Sequence, residues 1–400
     1  MHGAKNSTLP ILAASMLCNS ECILHNCPVL SDVDTSVNIL RYLGCAVTRS
    51  GSHLIMDSSG ICNSDIPDSL MREMRSSIVF LGAIVTRMGK AKLSFPGGCE
   101  LGPRPIDLHL WSLRKMGLKI EEDHGCLDCT VDGRLHGSEI GLSFPSVGAT
   151  ENVMIAASCA QGETVITNAA REPEICDLAN FLNQCGAKIK GAGESTVVIQ
   201  GVDSLSGCEH SIIPDRIAAA TFMAAAAVTG GKILISNVEP SHLGTVLPSF
   251  EEAGCGIRIL DRQMEITAPE RLSPIKSVRT MPYPGFPTDA QAPVMAVTTV
   301  ANGTSVFVEN IFESRYKHAG ELMRLGADIK VEGRVAVVQG VERLSGASVE
   351  APDLRGGAAL VIAGLAAEGI TKVSGLRHID RGYERIEESL ASIGASIKRV

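Results

Sequence analysis

One signature recurs six times along this chain of 400 residues. A helical stretch ends in one or two apolar residues and a glycine, and a strand-like alternation follows. The copies are Leu43-Gly44-Cys45-Ala46-Val47, Met116-Gly117-Leu118-Lys119-Ile120 and Cys185-Gly186-Ala187-Lys188-Ile189, then Ala253-Gly254-Cys255-Gly256-Ile257, Leu325-Gly326-Ala327-Asp328-Ile329 and Ile393-Gly394-Ala395-Ser396-Ile397. Their glycines stand 73, 69, 68, 72 and 68 residues apart. Glycine past a helix end takes the left-handed conformation that stops the helix, and period-two alternation marks a strand. Most copies carry an Ala-rich helix upstream, predicted at 152–160, 217–228, 290–301 and 356–367. A helix that is apolar all round must be packed on all sides. Short strands follow, as at 162–166 and 303–308. Each unit therefore reads β-α-β-α-β-β. A period of about 70 residues is long for a solenoid. Six such units predict an α/β chain of two compact domains with three units each. The crossing is expected near Ile212-Ile213-Pro214-Asp215-Arg216, and large ligands commonly bind between such domains.

The composition narrows the function. Hydrophobic residues at 45% and charged residues at 20% supply an ordinary globular core. A net charge of −8 argues against a nucleic-acid partner, so any anion site must be a local basic cluster. The 13 cysteines are odd in number, irregularly spaced and end at Cys255, which is no disulfide framework. They suggest a reducing, cytoplasmic compartment. Cys126-x-x-Cys129 follows His124, but no second Cys or His pair stands at zinc spacing and Gly125 reads as a turn, so no metal is expected. The apolar run 9–18 follows Lys5 like a signal peptide, but Pro10 interrupts it. The stretch 217–228 is too short for a bilayer, and no membrane insertion is expected. With no Walker A motif and no dinucleotide fingerprint, ATP and NAD find no support.

Chemistry-bearing residues gather where the repeats meet. Phe95-Pro96-Gly97-Gly98-Cys99-Glu100-Leu101-Gly102-Pro103-Arg104 places a thiol in a Gly- and Pro-rich loop, five residues before an arginine. A nearby cation favours the reactive thiolate, although the same composition describes an ordinary turn. Lys5-Asn6 reads by itself as a solvated lysine beside an N-cap asparagine. Asp353-Leu354-Arg355 opens the last Ala-rich helix, and Asp380-Arg381-Gly382-Tyr383-Glu384-Arg385 brings two arginines to a helix start, which suits an anion. Asp289 follows Pro284-Gly285-Phe286-Pro287-Thr288 and reads either as an N-cap or as a carboxylate held to act as a base.

Taken in chain order, these segments resemble one family. They are Gly3-Ala4-Lys5-Asn6, Pro96-Gly97-Gly98-Cys99 with Gly102-Pro103-Arg104-Pro105-Ile106-Asp107, Ser146-Val147-Gly148-Ala149-Thr150-Glu151-Asn152, Ala170-Arg171-Glu172-Pro173-Glu174-Ile175, Phe286-Pro287-Thr288-Asp289 and His378-Ile379-Asp380-Arg381-Gly382-Tyr383-Glu384-Arg385. The family is the UDP-N-acetylglucosamine 1-carboxyvinyltransferases, the enolpyruvyl transferases of early peptidoglycan synthesis. The resemblance implies a two-domain inside-out α/β barrel of six repeats, with residues 6–212 in one domain and 213–400 plus 1–5 in the other. It implies phosphoenolpyruvate and UDP-N-acetylglucosamine as substrates and no metal or redox cofactor. The sugar 3′-hydroxyl adds to C2 of phosphoenolpyruvate, C3 gains a proton, and loss of phosphate leaves the enolpyruvyl ether. Phosphoenolpyruvate is a small trianion, so several cations must meet it. Lys5, Arg104 and Arg381 match the residues around its phosphate and carboxylate, and Arg315 and Arg355 match further basic positions. Cys99 matches the proton donor, which fosfomycin alkylates, and Asp289 matches the carboxylate that contacts the sugar hydroxyl. Asn6, Arg75, Arg104, Pro105, Ile106, Asp107, Leu108, Ser146, Val147, Gly148 and Ile311 match positions lining the UDP-sugar site.

Two rival readings share much of this pattern. A 3-phosphoshikimate 1-carboxyvinyltransferase would share fold and chemistry, but the Cys99 loop and Ser146-Val147-Gly148-Ala149-Thr150 argue against it. A non-catalytic UDP-sugar binder is opposed by the presence of Cys99, Asp289, Lys5 and Arg381. The family carries a glycine-rich strand ahead of Gly3-Ala4-Lys5-Asn6, whereas Met1 lies two residues before it here. The second domain is therefore expected to lack one strand, and Lys5 to sit on a fraying end.

Overall fold

The computed structural model describes residues 1–97 and 106–400, which form two compact units. The first holds residues 3–97 and 106–213, and the second holds residues 1–2 and 214–400. The chain changes unit between His2 and Gly3 and between Ile213 and Pro214. Residues 3–5, expected with the second domain, thus pack with the first.

All six signature glycines lie in the left-handed region, with φ between 93° and 107°. Gly44 has a second reason to be glycine, since a Cβ there would stand 2.3 Å from the Gly60 carbonyl oxygen. In the first unit the helices Lys5–Ala14, Phe80–Met88 and Val147–Ser158 pack on one another and bury nearly every side chain. The helices Ser31–Leu43, Asp107–Lys115 and Pro173–Gln184 each keep a wet face. Ser31–Leu43 exposes Ser31, Asp34, Asn38 and Arg41, a stripe at helical spacing.

The sheets of this unit repeat one order. Glu209–Ser211 runs parallel to Cys22–His25, which pairs antiparallel with His53–Asp57, and Ala46–Ser50 completes the sheet. The second sheet runs Asp65–Ile66, Lys90–Ser94, Cys126–Thr130, Lys119–Asp123. The third runs Glu139–Gly141, Glu163–Thr167, Thr196–Gln200, Lys188–Lys190. In each, the preceding repeat donates the parallel edge strand. Glu209–Ser211 comes from the third repeat and returns to the first, so the three repeats close on themselves.

The second unit packs Arg216–Val228, Thr288–Thr298 and Leu354–Ala366 against one another. Its sheet Ser277–Arg279, Thr304–Val308, Val335–Gln339, Asp328–Glu332 keeps the same order. The sheet of Lys232–Ser236, Gln263–Thr267 and Gly256–Leu260 has three strands, and among the described residues none runs parallel beside Lys232–Ser236. Met1 and His2 are tied into this unit. The Met1 amino group donates to the Ser236 carbonyl, Asn237 Nδ2 donates to the Met1 carbonyl at 2.7 Å, and Asp215 N donates to the His2 carbonyl at 2.9 Å. The Ala-rich helices begin ahead of their apolar runs because polar caps start three of them, Asp215 accepting from Ile217 N and Ala218 N. Ser146 accepts from Ala149 N, and Asp353 accepts from Arg355 N and Gly356 N. No helix among the described residues is long and apolar enough to cross a membrane.

Candidate functional site

The turn before Thr288–Thr298 presents Asp289 in the first helical turn. Asp289 makes no cap, contrary to one of its two sequence readings. Its oxygens face two arginines instead: Arg315 Nη2 donates to Oδ1 at 3.1 Å and Arg355 Nη2 donates to Oδ2 at 3.2 Å. The arginine side chains are 2% and 3% exposed, whereas the aspartate is 28% exposed. The cations form a buried floor, and the carboxylate is the member that meets solvent. Arg315 Nη2 also donates to the Thr288 carbonyl at 3.0 Å, which ties it to the residue before Asp289.

Burial works against the Arg355 charge, but the Tyr383 ring and hydroxyl, Asp289 and Asp215 outweigh it and hold the guanidinium proton more tightly than usual. The guanidinium lies 5.3 Å from the Tyr383 ring centroid, and Tyr383 Oη shares a 2.8 Å hydrogen bond with Thr221 Oγ1. Arg381, two residues before Tyr383, is partly buried. Gly382 between them must be small, since a Cβ would stand 2.7 Å from Leu354 Cδ2.

Sequence reasoning missed Glu309, which is 1% exposed. Its carboxylate accepts from Thr280 Oγ1 at 2.8 Å, Thr288 Oγ1 at 3.0 Å, Ile311 N at 2.8 Å and Phe312 N at 3.1 Å. It thereby fixes both Ile311 and the residue next to Asp289. A glutamate at a strand end carries no sequence signal of such a role.

His318 was also missed. It is fully buried, and its Nδ1 lies 3.1 Å from the Arg315 carbonyl oxygen, so the Nδ1–H tautomer donates there. Burial first, and Arg315 second, push its pKa down to about 4 despite the opposing pull of Asp353. The unfolded chain carries an ordinary histidine at about 6.5 and binds the proton first as pH falls. Stability is therefore complete above about pH 6.5 and erodes toward pH 4, by up to about 1.4 kcal/mol per pH unit. Urea unfolding of His318→Gln against the parent chain should show a shallower acid limb; identical pH slopes would refute this.

In the first unit, Lys5 is neither solvated nor frayed. It is the first residue of Lys5–Ala14, 8% exposed, and its Nζ lies 2.5 Å from Asp32 Oδ2. Just before it, Ala4 N donates to the Ile213 carbonyl at 2.7 Å, and a Cβ on Gly3 would stand 1.9 Å from the Asn26 carbonyl oxygen. Asn6 does not cap, because the cap position is Ala4. Asp32 sits in Leu30-Ser31-Asp32-Val33-Asp34 and looks like a first-turn acid of the next helix, so its buried partner was invisible in the sequence. Removing one member of a buried ion pair leaves the other charge exposed to a low dielectric. Asp32→Ala should cost about 3–5 kcal/mol in denaturant unfolding, and a loss below about 1 kcal/mol would place Lys5 in water.

At the start of Val147–Ser158, Ser146 Oγ accepts from Ala149 N at 3.3 Å, and Ser146, Val147 and Gly148 are partly exposed. Gly148 lies under His109, whose Cε1 would stand 3.0 Å from a Cβ there. Asn152 Nδ2 lies 3.0 Å from His109 Nδ1 and donates to the Ile78 carbonyl at 3.0 Å, while its Oδ1 accepts from Gly82 N at 2.7 Å. One asparagine thus locks three segments beside this helix start. Ile106 is buried, Asp107 is exposed and Leu108 is partly buried at the start of Asp107–Lys115. Arg75 Nη1 donates to the Pro96 carbonyl at 3.5 Å. Cys99, Arg104 and Pro105 lie outside the described residues. Cys126 and Cys129 occupy one strand with Cys126 exposed and Cys129 buried, so they face opposite ways and cannot chelate together.

The structure therefore brings Asp289, Arg315 and Arg355 into direct contact, and sets Lys5 and Asn6 at one helix start and Ser146, Val147 and Gly148 at another. Comparison with known proteins gives a consistent set of likenesses. Residues 1–390 match the family described as EPSP synthase (3-phosphoshikimate 1-carboxyvinyltransferase). The chain is 52% identical over its full length to UDP-N-acetylglucosamine 1-carboxyvinyltransferase 2 of Caldanaerobacter subterraneus subsp. tengcongensis, covering 96% of that protein. It is 48% identical to the UDP-N-acetylglucosamine 1-carboxyvinyltransferase of Shewanella amazonensis, covering 100% of this chain and 95% of that one. Among solved structures, the enolpyruvyl transferase NikO from Streptomyces tendae superposes with a TM-score of 0.90 at 25% identity, over 100% of this chain and 94% of that one. An EPSP synthase from Acinetobacter baumannii shares the fold, with a TM-score of 0.76 at 17% identity over 100% of this chain and 95% of that one.

Proposed function

The chain belongs to the UDP-N-acetylglucosamine 1-carboxyvinyltransferases, within the wider EPSP synthase family of enolpyruvyl transferases, and we propose that it transfers the enolpyruvyl group of phosphoenolpyruvate to the 3′-hydroxyl of UDP-N-acetylglucosamine. Phosphate is the second product, and the transfer opens peptidoglycan synthesis. The observation that carries the substrate assignment is identity of 48–52% along the whole chain to proteins bearing that name.

The family resemblance implies a division of labour. Asp289 takes the proton of the 3′-hydroxyl as its oxygen attacks C2, and Cys99 gives a proton to C3, which becomes a methyl group. The C3 proton then leaves and the C2–O bond to phosphate breaks, which restores the alkene as the enolpyruvyl ether. Arg315 and Arg355 act as positioning residues, because their Asp289 contacts set the direction of its lone pairs. Lys5, Arg104 and Arg381 bind the phosphate and carboxylate of phosphoenolpyruvate. The partly exposed N–H groups at Ser146-Val147-Gly148 suit the diphosphate, since a helix start favours anions. Asn6, Arg75, Pro105, Ile106, Asp107, Leu108 and Ile311 complete the sugar-nucleotide contacts. Every described cysteine is free, which accords with a cytoplasmic enzyme.

Phosphate release tests the reading. Turnover is expected with UDP-N-acetylglucosamine and phosphoenolpyruvate. Turnover with shikimate 3-phosphate in place of the sugar nucleotide would transfer the chain to the other branch of the fold. Ligand-induced stabilisation without phosphate would leave a binder.

A further inference from the structure

Four cysteines meet where the first unit closes on itself. Cys18 follows the short helix Ser15–Leu17, and Cys22 opens the strand Cys22–His25. Cys185 caps the end of Pro173–Gln184, and Cys208 directly precedes the strand Glu209–Ser211. The pairing of Glu209–Ser211 with Cys22–His25 is the seam that joins the third repeat to the first. The thiols of Cys18, Cys22 and Cys185 lie within 4.8 Å of one another. Cys185 Sγ is 3.6 Å from Cys18 Sγ and 3.3 Å from Cys208 Sγ. Cys18, Cys22 and Cys185 are at most 2% exposed, and Cys208 is partly exposed.

Ordinary packing does not call for this arrangement. A thiol is a small apolar group with a weak donor, and four on one spot offer little that alanine or valine would not. A tetrahedral zinc thiolate site does call for it. A Zn–S bond of about 2.3 Å sets sulfur–sulfur edges of about 3.8 Å. Cys185 stands near that length from Cys18 (3.6 Å) and from Cys208 (3.3 Å). Cys22 completes a trio with Cys18 and Cys185 within 4.8 Å, and Cys208 approaches that trio from the Cys185 side. We propose that Cys18, Cys22, Cys185 and Cys208 form a structural zinc site that clasps the closing seam of the first unit. This inference is independent of the enzymatic reading.

The chemistry of the donors agrees. Four sulfurs with no carboxylate or imidazole among them select a soft, tetrahedral cation, and four protein ligands leave no open position for catalysis. Each thiol releases its proton as a sulfur lone pair closes on the metal, so four protons leave per ion bound. Cys208, on the partly exposed side, provides the way in. The sequence hid this site because its ligands come in unequal pieces. Cys18 and Cys22 are close in the chain, but Cys185 and Cys208 stand alone, and no zinc-finger spacing results.

The test uses the full chain, reduced and stripped with chelator. One equivalent of Co²⁺ should give the thiolate charge-transfer band and intense d–d bands of tetrahedral sulfur ligation, and one equivalent of Zn²⁺ should erase them. Zn²⁺ should raise the melting temperature. Cys22→Ser and Cys208→Ser should weaken metal binding on the order of 10²-fold or more and abolish that rise, whereas Cys62→Ser, at an exposed thiol, should change neither. Should Cys22→Ser fail to fold, Cys208→Ser decides. Absence of the bands at one equivalent, or bands that survive Cys208→Ser unchanged, would overturn the proposal. So would a disulfide joining Cys185 to Cys18 or Cys208 in protein isolated without reductant, if no metal is taken up after reduction.

Discussion

Asp289→Asn is expected to lower kcat by about 10²–10⁴, with a smaller effect on KM for UDP-N-acetylglucosamine. The sugar hydroxyl must lose its proton as its oxygen attacks C2, and an amide cannot take it. The same substitution disturbs the floor of the site. Asp289 Oδ1 accepts from Arg315 and its Oδ2 accepts from Arg355. An asparagine can satisfy one guanidinium through Oδ1, but its NH₂ then faces the other, donor against donor. Breaking a fully buried pair costs about 3–5 kcal/mol. The aspartate is 28% exposed, so the expected loss of stability lies below that range. The two effects separate experimentally. Melting temperature reports the arginine floor, and single-turnover kinetics report the proton transfer. A variant that melts several degrees lower yet turns over near the parent rate would reduce Asp289 to a counter-ion for the arginines. Arg355→Lys offers a complementary measurement. It keeps a cation under Asp289 but loses the planar fork that aims it, so kcat should fall while the melting temperature moves less than in Arg355→Ala.

The sequence was most informative where local chemistry and tertiary structure make the same demand. The six glycines could be read because a helix that must stop and turn into a strand asks for a left-handed residue, and all six adopt that conformation. The Ala-rich helices could be read because packing on three sides leaves no room for large or charged groups. Lys5 could not be read from its neighbours. Its partner Asp32 lies at the start of another helix, and nothing near either residue shows that both are buried. Glu309 and His318 failed for the same reason, since their roles come from contacts across the fold rather than from spacing. Arg355 was flagged through resemblance, but its union with Asp289 spans 66 residues and belongs to the packing of two helix starts. The four-thiol cluster is the extreme case, because it exists only once the third repeat has returned to the first.

The second large effect is expected at Cys99, and the remaining thiols sharpen the test. Cys99→Ser should lower turnover by about 10²–10⁴, because a serine hydroxyl is a far weaker acid toward C3 than a thiol. Cys99→Asp should retain part of the activity, since a carboxylic acid can also supply that proton, and it should escape fosfomycin. With 13 cysteines in the chain, the identity of the alkylated one matters. Attack on an epoxide needs an accessible thiolate. Burial pushes Cys27, Cys45 and Cys129 up to about 12 and Cys255 up to about 11, and it raises Cys159 and Cys176 as well. These six stay protonated at neutral pH. Cys22, only 1% exposed, is out of reach of the epoxide. The exposed competitors among the described residues are Cys62 and Cys126. Neither is followed five residues on by an arginine, as Cys99 is by Arg104. Fosfomycin treatment in the presence of UDP-N-acetylglucosamine, followed by peptide mass mapping, should therefore place a single adduct on Cys99 and none on Cys62 or Cys126. Inactivation that tracks an adduct on Cys62 or Cys126, or full activity with Cys99 alkylated, would remove Cys99 from the chemistry and leave C3 to be protonated by another group.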